Sequence, residues 1–401
     1  MRVTLAAALS LTLASAFGSP AAAGGDVPPV DFKIAFIGDQ GLGPDAEAVL
    51  NLIGAEGADA VIHSGDFDYQ DNPAAWEAMV DAILGEDFPY FASIGNHDLL
   101  AFFLPGGYQD RLEDRMERLG IAWDGELGVR SSFEYQGVFI VLTAPGILLP
   151  GDPFDVYEDY VRDALAANDS LWRISSWHKN MRAMQVGNKP DETGWGVYEQ
   201  SRRGGAIIAT AHEHSYSRTH LLSNCRNRTV ASTGDTLALS RDDPNTPADE
   251  GRSFVIVSGL GGRSIRDQRR CLPALPPYGC LEEWASIYAS NQGADFGALF
   301  GTFNYQGDPD RAFFYFKDIA GNVPDEFFVE IGSSAPPPPP PACPADIAPR
   351  GGDGEVDGLD LLVLLAAWGS SDPLADLDDD GTVNLVDLIE MLLSLGSCPE
   401  D

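Results

Sequence analysis

The sequence predicts an α/β fold in which two β-sheets are layered on one another and flanked by helices, with a small all-α module at the C-terminal end. Three observations carry that expectation. From Asp31 onward, short apolar runs alternate with amphipathic helical stretches, the pattern of a layered α/β domain. Three successive runs each stop at a Gly followed by a residue able to bind metal: Gly38-Asp39, Gly65-Asp66 and Gly95-Asn96. Finally, the prolines of 336–341 divide this region from a short segment that repeats itself.

Met1-Arg2, the apolar run 3–17 and Pro20-Ala21-Ala22-Ala23 have the parts of a secretory signal over residues 1–23. The mature protein is therefore expected outside the cytoplasm, secreted or periplasmic. A strand over 32–37 leads through Gly38-Asp39-Gln40-Gly41 to a helix over 46–53. A second strand, 58–63, runs into Gly65-Asp66-Phe67-Asp68-Tyr69 and a helix over 74–84, and a third, 90–94, into Gly95-Asn96-His97-Asp98. Ligands of open α/β sheets gather at the carboxyl ends of strands, so these three turns should lie side by side. Asp68, between two metal-competent residues, is expected to face outward.

A helix over 108–119 reads as structural, its charges on a solvated face. The runs 132–135 and 138–142, joined at Gln136-Gly137, predict a hairpin. A helix over 157–167 precedes a strand over 172–178 ending in His178. A helix over 197–203 precedes the buried run 206–210, closed by Ala211-His212-Glu213-His214. Two imidazoles alternating about a strand end form a metal grip, because neutral imidazole nitrogen suits zinc, iron, manganese and nickel. Shorter β-like pieces at 252–258, 312–316 and 326–331 complete a domain spanning 24–332. Residues 333–342 form a semi-rigid polyproline linker, and 343–401 a separate module.

With 44% hydrophobic residues, 401 residues can bury a sizeable core. A net charge of −36, from 61 acidic against 25 basic residues, argues against electrostatic binding to nucleic acid or anionic membranes. No stretch beyond the leader has the apolar length of a membrane span. Of five cysteines, Cys271 and Cys280 bracket one loop and Cys343 and Cys398 the terminal segment, which leaves Cys225 over. Cys225 could instead bond either member of the first pair.

In order, the strand-end residues are Asp39, Asp66 and Tyr69, Asn96 and His97, His178, and His212 and His214. The motifs Gly-Asp-x-Gly at 38–41, Gly-Asp-x-x-Tyr at 65–69, Gly-Asn-His at 95–97, the strand-end His178 and His-x-His at 212–214 resemble the calcineurin-like metallophosphoesterase superfamily. Tyr69 resembles its purple acid phosphatase branch in particular, and Tyr216-Ser217-Arg218-Thr219 looks like the continuation of the plant enzymes' His-x-His motif. The resemblance implies a metallophosphoesterase sandwich and two metal ions. Asp39, Asp66, Tyr69 and His214 would hold the first; Asp66, Asn96, His178 and His212 the second, with Asp66 bridging. A phenolate favours ferric iron at the first site, and amide and imidazole ligands suit divalent iron, zinc or manganese at the second.

The resemblance further implies attack of a metal-bound hydroxide in line on phosphorus. His97 would be the general acid for the leaving alkoxide, and Asp98 would orient it. Asp98 stands where the purple enzymes usually have Glu. Tyr216, Arg218 and Lys179 lie beside ligands and could contact phosphate or serve the fold equally well; His63 and His220 read as structural or as supports behind the ligands. Gly259-Leu260-Gly261-Gly262 lacks the Lys and Ser of a nucleotide loop and reads as a turn approaching the site.

In the C-terminal module, Val356-Asp357-Gly358-Leu359-Asp360 recurs 27 residues later as Val383-Asn384-Leu385-Val386-Asp387. The repeat resembles a type I dockerin. Asp376, Asp378, Asp380, Thr382 and Asp387 follow the spacing of a calcium loop, and Asp353, Glu355 and Asp360 belong to an altered first copy. The resemblance implies bound Ca²⁺ and a cohesin-like partner. Together these readings predict a secreted phosphomonoesterase. A phosphodiesterase on the same scaffold and a non-catalytic, metal-containing extracellular binding protein are the alternatives.

Overall fold

In a computed structural model of the protein, the structure describes residues 27–148, 154–242 and 250–332, together with 345–347, 355–370, 375, 377 and 382–398. The segment read as a secretory signal and the Pro-rich linker lie outside the described residues. The chain divides into two compact units, Met1–Gly332 and Ser333–Asp401.

The first unit begins β1 (Phe32–Ile37), α1 (Pro44–Ala55), β2 (Ala60–His63), α2 (Pro73–Ile83), β3 (Tyr90–Ala92), α3 (Leu99–Phe102) and α4 (Tyr108–Arg118). Local chemistry explains the helix starts. Proline stands in the first turn of α1 and α2, where its missing N–H is no loss, and the Asn72 side chain caps α2 by accepting from Ala75 N at 3.2 Å. Helix α1 buries Ala46, Val49, Leu50 and Ile53, one face at helical spacing. Helix α4 buries Tyr108, Leu112, Arg115 and Met116, so one of its charges departs from the expected solvated face. Arg115 can be buried because Asp81 and the carbonyls of Glu86 and Phe88 take its donors.

There follow β4 (Asp124–Glu126), β5 (Arg130–Tyr135), β6 (Val138–Thr143), α5 (Phe154–Ala166), β7 (Trp172–Ser176), α6 (Trp195–Arg203) and β8 (Ile207–Thr210). The β5–β6 hairpin turns at Gln136 and Gly137, both at positive φ, with Tyr135 opposite Val138. All six residues of β6 are buried, as expected of a strand covered on both faces. The remainder is strand-rich: β9 (Tyr216–Thr219), β10 (Leu221–Asn224), β11 (Thr229–Ser232), β12 (Thr236–Asp242), β13 (Glu250–Arg252), β14 (Val255–Ser258), β15 (Trp284–Tyr288), β16 (Gly297–Phe303), β17 (Arg311–Asp318) and β18 (Asp325–Ile331). The stretch expected as one β piece at 252–258 divides into β13 and β14, which join different sheets.

Among the described residues the strands form two large sheets, ordered β13-β12-β18-β17-β16-β1-β2-β3 and β15-β9-β14-β8-β7-β6-β5-β4. Strands β1, β2 and β3 run parallel in the first, as do β6, β7 and β8 in the second. The inner faces share one core, with rings meeting across it: Phe91 against Phe133 at 4.8 Å and Tyr216 against Phe316 at 4.4 Å.

Cys271 and Cys280 form a disulfide, and Cys225 is buried and free. Cys398 is also disulfide-bonded, while Cys343 lies outside the described residues. In the second unit, α7 (Gly358–Ala366) and α8 (Leu385–Leu393) are accompanied by a two-residue pairing of β19 (Glu355–Val356) with β20 (Gly396–Ser397), so the module is not wholly helical. Its core includes Ile347, Val356, Leu364, Val383 and Met391. The two repeats are alike in atomic detail. Asp357 and Asn384 cap their helices, and Asp360 and Asp387 each accept two backbone N–H bonds at 2.6–2.7 Å.

Candidate metal centre

Both sheets deliver their parallel strand ends to one place. Register sets Ile37 beside His63 and His63 beside Ala92 in the first sheet, and Ser176 beside Ala209 in the second. Beyond those pairs the turns remain tied: Asp39 N donates to Gly65 O at 3.1 Å and Ala211 N to His178 O at 3.2 Å. Ser64 Oγ and Ser176 Oγ meet at 2.9 Å, joining the sheets at the base of the site. Gly95 is required by close approach, since a Cβ there would stand 2.2 Å from the Asp66 carboxylate.

The side chains interlock. Tyr69 OH donates to Asp39 Oδ1 at 2.8 Å and lies 3.2 Å from His214 Nε2, which is itself 3.2 Å from Asp39 Oδ1. His178 Nε2 is 3.3 Å from Asp66 Oδ2 and 3.0 Å from His212 Nδ1. Asp66, His178 and His212 each offer a ligand atom, all within 4.8 Å of one another, and all three residues are buried. Four residues of this set, Asp39, Asp66, Tyr69 and His212, hold left-handed backbone with φ between 56° and 69°. That conformation costs a non-glycine residue about 1–3 kcal/mol and persists only where the surroundings enforce it.

The electrostatics follow from burial and pairing. Burial opposes ionisation of Asp39 and Asp66, but the imidazoles of His214 and His178 outweigh it and hold both carboxyls below their ordinary range. Burial, with Asp39 and Asp66 nearby, pushes the Tyr69 phenol far up, so in this arrangement it is a hydrogen-bond donor. Burial pushes His212 down to about 4 despite its 2.8 Å bond to Glu192. A neutral imidazole is the form that binds a cation.

The residues present fit metal ions. Carboxylate, phenol, amide and imidazole donors converge, and Asn96 Oδ1 is buried without a hydrogen-bond partner among the described residues. A second group, Cys271, Cys280 and Glu283, is no metal grip because its sulfurs are bonded to each other.

Asp39, Asp66, Tyr69, His178, His212 and His214 are thus brought together, with Asn96 half-buried beside them in the β3 turn. His97 is exposed, its ring 4.6 Å from that of Tyr69, and its backbone N donates to Asp66 Oδ1 at 2.8 Å. Other expectations are corrected. Asp98 makes no bond to the His97 ring; it is buried and accepts from Asp66 N, Phe67 N and Gly95 N at 2.7–2.8 Å. Asp68 does not face outward but is buried, accepting from Gln70 N and Asn72 N.

Tyr216 and Arg218 are buried and both engage Asp325, at 2.6 Å for Tyr216 and 2.8 and 2.9 Å for Arg218, clasping one sheet to the other instead of facing a substrate. Lys179 pairs with Glu192 at 3.2 Å. His63 is structural, as expected: burial pushes it down to about 3, and its Nδ1 accepts from Gly65 N. The turn at 259–262 does approach the site, through Gly261 N bonded to Gly38 O at 3.0 Å.

Sequence reasoning missed Glu192, Lys189 and Ser264. Lys189 Nζ donates to the His212 carbonyl, and Ser264 Oγ lies 2.5 Å from His214 Nδ1. All three sit in loops with no recurring motif. In the C-terminal unit, Asp353, Asp376, Asp378, Asp380 and the Glu355 side chain lie outside the described residues; Thr382 is exposed.

A two-layer α/β domain thus gathers these donors at its strand ends into a candidate metal centre. Residues 32–216 match the calcineurin-like phosphoesterase family, so the chain carries a calcineurin-like phosphoesterase domain. Members hydrolyse phosphoester bonds, and the fold implies a dinuclear metal site. No curated protein matches the chain in sequence. Among solved structures, one titled "GAP50 the anchor in the inner membrane complex of Plasmodium" aligns at 10% identity and TM-score 0.46, covering 76% of this chain and 90% of that one. PhoD aligns at 12% identity and TM-score 0.44, covering 77% and 71%. A conserved uncharacterized protein from Streptococcus pneumoniae, titled a predicted phosphoesterase, aligns at 13% and TM-score 0.26, covering 74% and 97%.

Proposed function

We propose that the protein is an exported phosphomonoesterase with two metal ions, of the purple acid phosphatase type. The observation that carries the reading is the convergence of Asp66, His178 and His212 within 4.8 Å, beside the interlocked Asp39, Tyr69 and His214. Asp39, Asp66, Tyr69 and His214 would hold ferric iron, and Asp66, Asn96, His178 and His212 a divalent iron, zinc or manganese ion. When bound, the ions supply positive charge to the phosphoryl oxygens and a water acidified enough to attack at working pH.

The chain's own residues do the rest. Glu192, 2.8 Å from His212 Nε2, fixes the imidazole's orientation. Asp98 fixes the Asp66 turn through backbone amides. His97, exposed beside Tyr69, would act as the general acid for the leaving alkoxide. That general acid favours an enzyme over a binding protein. Leaving-group size is not set by these residues, and a phosphodiesterase is the second reading.

The C-terminal unit is proposed as a calcium-loop docking module with a cohesin-like partner. Support comes from the repeated capped helices and from apolar side chains left exposed on both, including Leu362, Leu365, Ile389 and Leu393.

Three purified proteins decide the central reading. Metal content, the visible spectrum and phosphate release from an aryl phosphate monoester and diester are measured for the wild type, Tyr69→Phe and His97→Ala. Iron, a visible band lost in Tyr69→Phe, and monoester turnover reduced at least about a hundredfold in metal-loaded His97→Ala are expected. Metals without iron or colour would remove the purple assignment, and no turnover of either ester would leave the binding protein.

A further inference from the structure

The loop after β14 carries Arg263, Arg266, Arg269 and Arg270 within eight residues, in a chain whose 25 basic residues are outnumbered by 61 acidic ones. Such a concentration calls for a counter-charge. Arg270 has structural work, donating to the carbonyls of Arg182 and Gln185. The other three are exposed and less committed. Arg263 lies over the Tyr69 ring at 4.6 Å, Arg266 reaches Glu213 only at 3.6 Å, and Arg269 reaches Asp267 only at 3.9 Å.

Arg266 and Arg269, with Lys189, Glu213 and Asp267, provide the charged lining of a cavity of about 470 Å³, a size that accommodates a small ligand. The cavity adjoins the metal centre through the backbone. Glu213 sits between His212 and His214; Lys189 Nζ donates to the His212 carbonyl, and Arg266 N to the His214 carbonyl at 2.8 Å. Two anions temper the three cations. Asp267 already accepts from Ser290 Oγ, and Glu213 is buried and faces Arg266. The lining retains a positive surplus, with guanidinium forks that match phosphate oxygens.

We propose that this cavity receives a second phosphoryl group of the substrate, so that the preferred esters are bisphosphorylated. This rests on the phosphoesterase reading and adds to it a substrate class set by the loop 263–270. The first phosphate occupies the metal centre while the second is held by Arg266, Arg269 and Lys189.

The test is titration calorimetry of metal-loaded protein with alkane bisphosphonates of two, four and six carbons, each against its monophosphonate. At one length the wild type should bind the bisphosphonate at least about tenfold tighter, the value of one or two charge-assisted hydrogen bonds. In Arg266→Gln/Arg269→Gln the ratio should fall to near one. Arg269→Glu, a single change at an exposed side chain, should lower it as well, which keeps the test open if the double variant folds poorly. No preference at any length, or a preference both variants retain, overturns the proposal. Failure to release phosphate from aryl esters is a separate outcome, because it tests the phosphoesterase reading and leaves these binding ratios intact.

Discussion

Asp98 was expected to orient His97 and is found holding backbone, and Asp98→Asn separates the two roles. The carboxylate is fully buried and accepts three N–H groups, from Gly95 at 2.7 Å and from Asp66 and Phe67 at 2.8 Å. Asparagine has the same shape but one acceptor oxygen. If that oxygen serves Gly95 and Asp66, the NH₂ confronts Phe67 N–H; if it serves Phe67, two amides lose their acceptor. A buried donor left unsatisfied costs about 1–3 kcal/mol, and the amide nitrogen turned toward an N–H group adds repulsion, for a total of about 3 kcal/mol. In a unit of this size that lowers Tm by roughly 6 °C. Asp98→Ala orphans all three amides and should cost about 5 kcal/mol, roughly 10 °C. The assay is thermal unfolding at pH 7 with metal content measured in parallel, since the displaced turn carries Asp66. Unfolding of Asp98→Asn within 1 °C of wild type, accompanied by slowed turnover, would refute the backbone role and return Asp98 to His97.

Asp325 offers a second test away from the chemistry. Asp325→Asn leaves the buried Arg218 uncompensated, so stability should fall by about 3–5 kcal/mol, whereas KM for an aryl phosphate per metal-loaded molecule should stay the same. A raised KM with unchanged stability would restore Tyr216 and Arg218 as substrate contacts. A third test uses pH. Burial opposes ionisation of Glu56, but Lys317 at 2.6 Å and Tyr315 OH at 2.7 Å prevail and hold the carboxyl below its ordinary value of 4.5. Because the folded pKa is the lower one, the stabilisation is present above about pH 4.5 and is lost as pH falls through the folded value. The Tm gap between wild type and Glu56→Gln should therefore be widest near neutrality and shrink below pH 4.5. A gap that grows on acidification would reverse the sign of the argument.

The first half of the fold was legible because its strands are short apolar runs closed by turns, and β1 to β3 and β6 to β8 lie where the pattern put them. Strand β16 was not. It pairs with β1 at the middle of the first sheet, yet Gly297 and Gly301 interrupt its sequence. Gly301 is there for a reason that only the neighbouring strand supplies, since a Cβ would stand 2.5 Å from the Phe314 ring. Arg115 and Asp68 went wrong similarly: a charge read as exposed is buried when backbone groups meet it, distant carbonyls for Arg115 and the amides of Gln70 and Asn72 for Asp68.

The site shows the same division at finer scale. Residue types and order announced the metal-competent side chains, because few other functions use Asp, Asn and His at successive strand ends. Their supports had no such signature. Glu192 is one acid among 61 until the fold sets it 2.8 Å from His212, and Asp98 reads as a catalytic partner until its oxygens are found on three amides. Left-handed backbone at Asp39, Asp66, Tyr69 and His212 is equally silent, since none of these is the glycine that normally signals it. The strain and its supports belong together. Four disfavoured turns survive because Asp98, the interlocked side chains and two layers of sheet hold them, so the energy that folds the supports also pre-positions the donors.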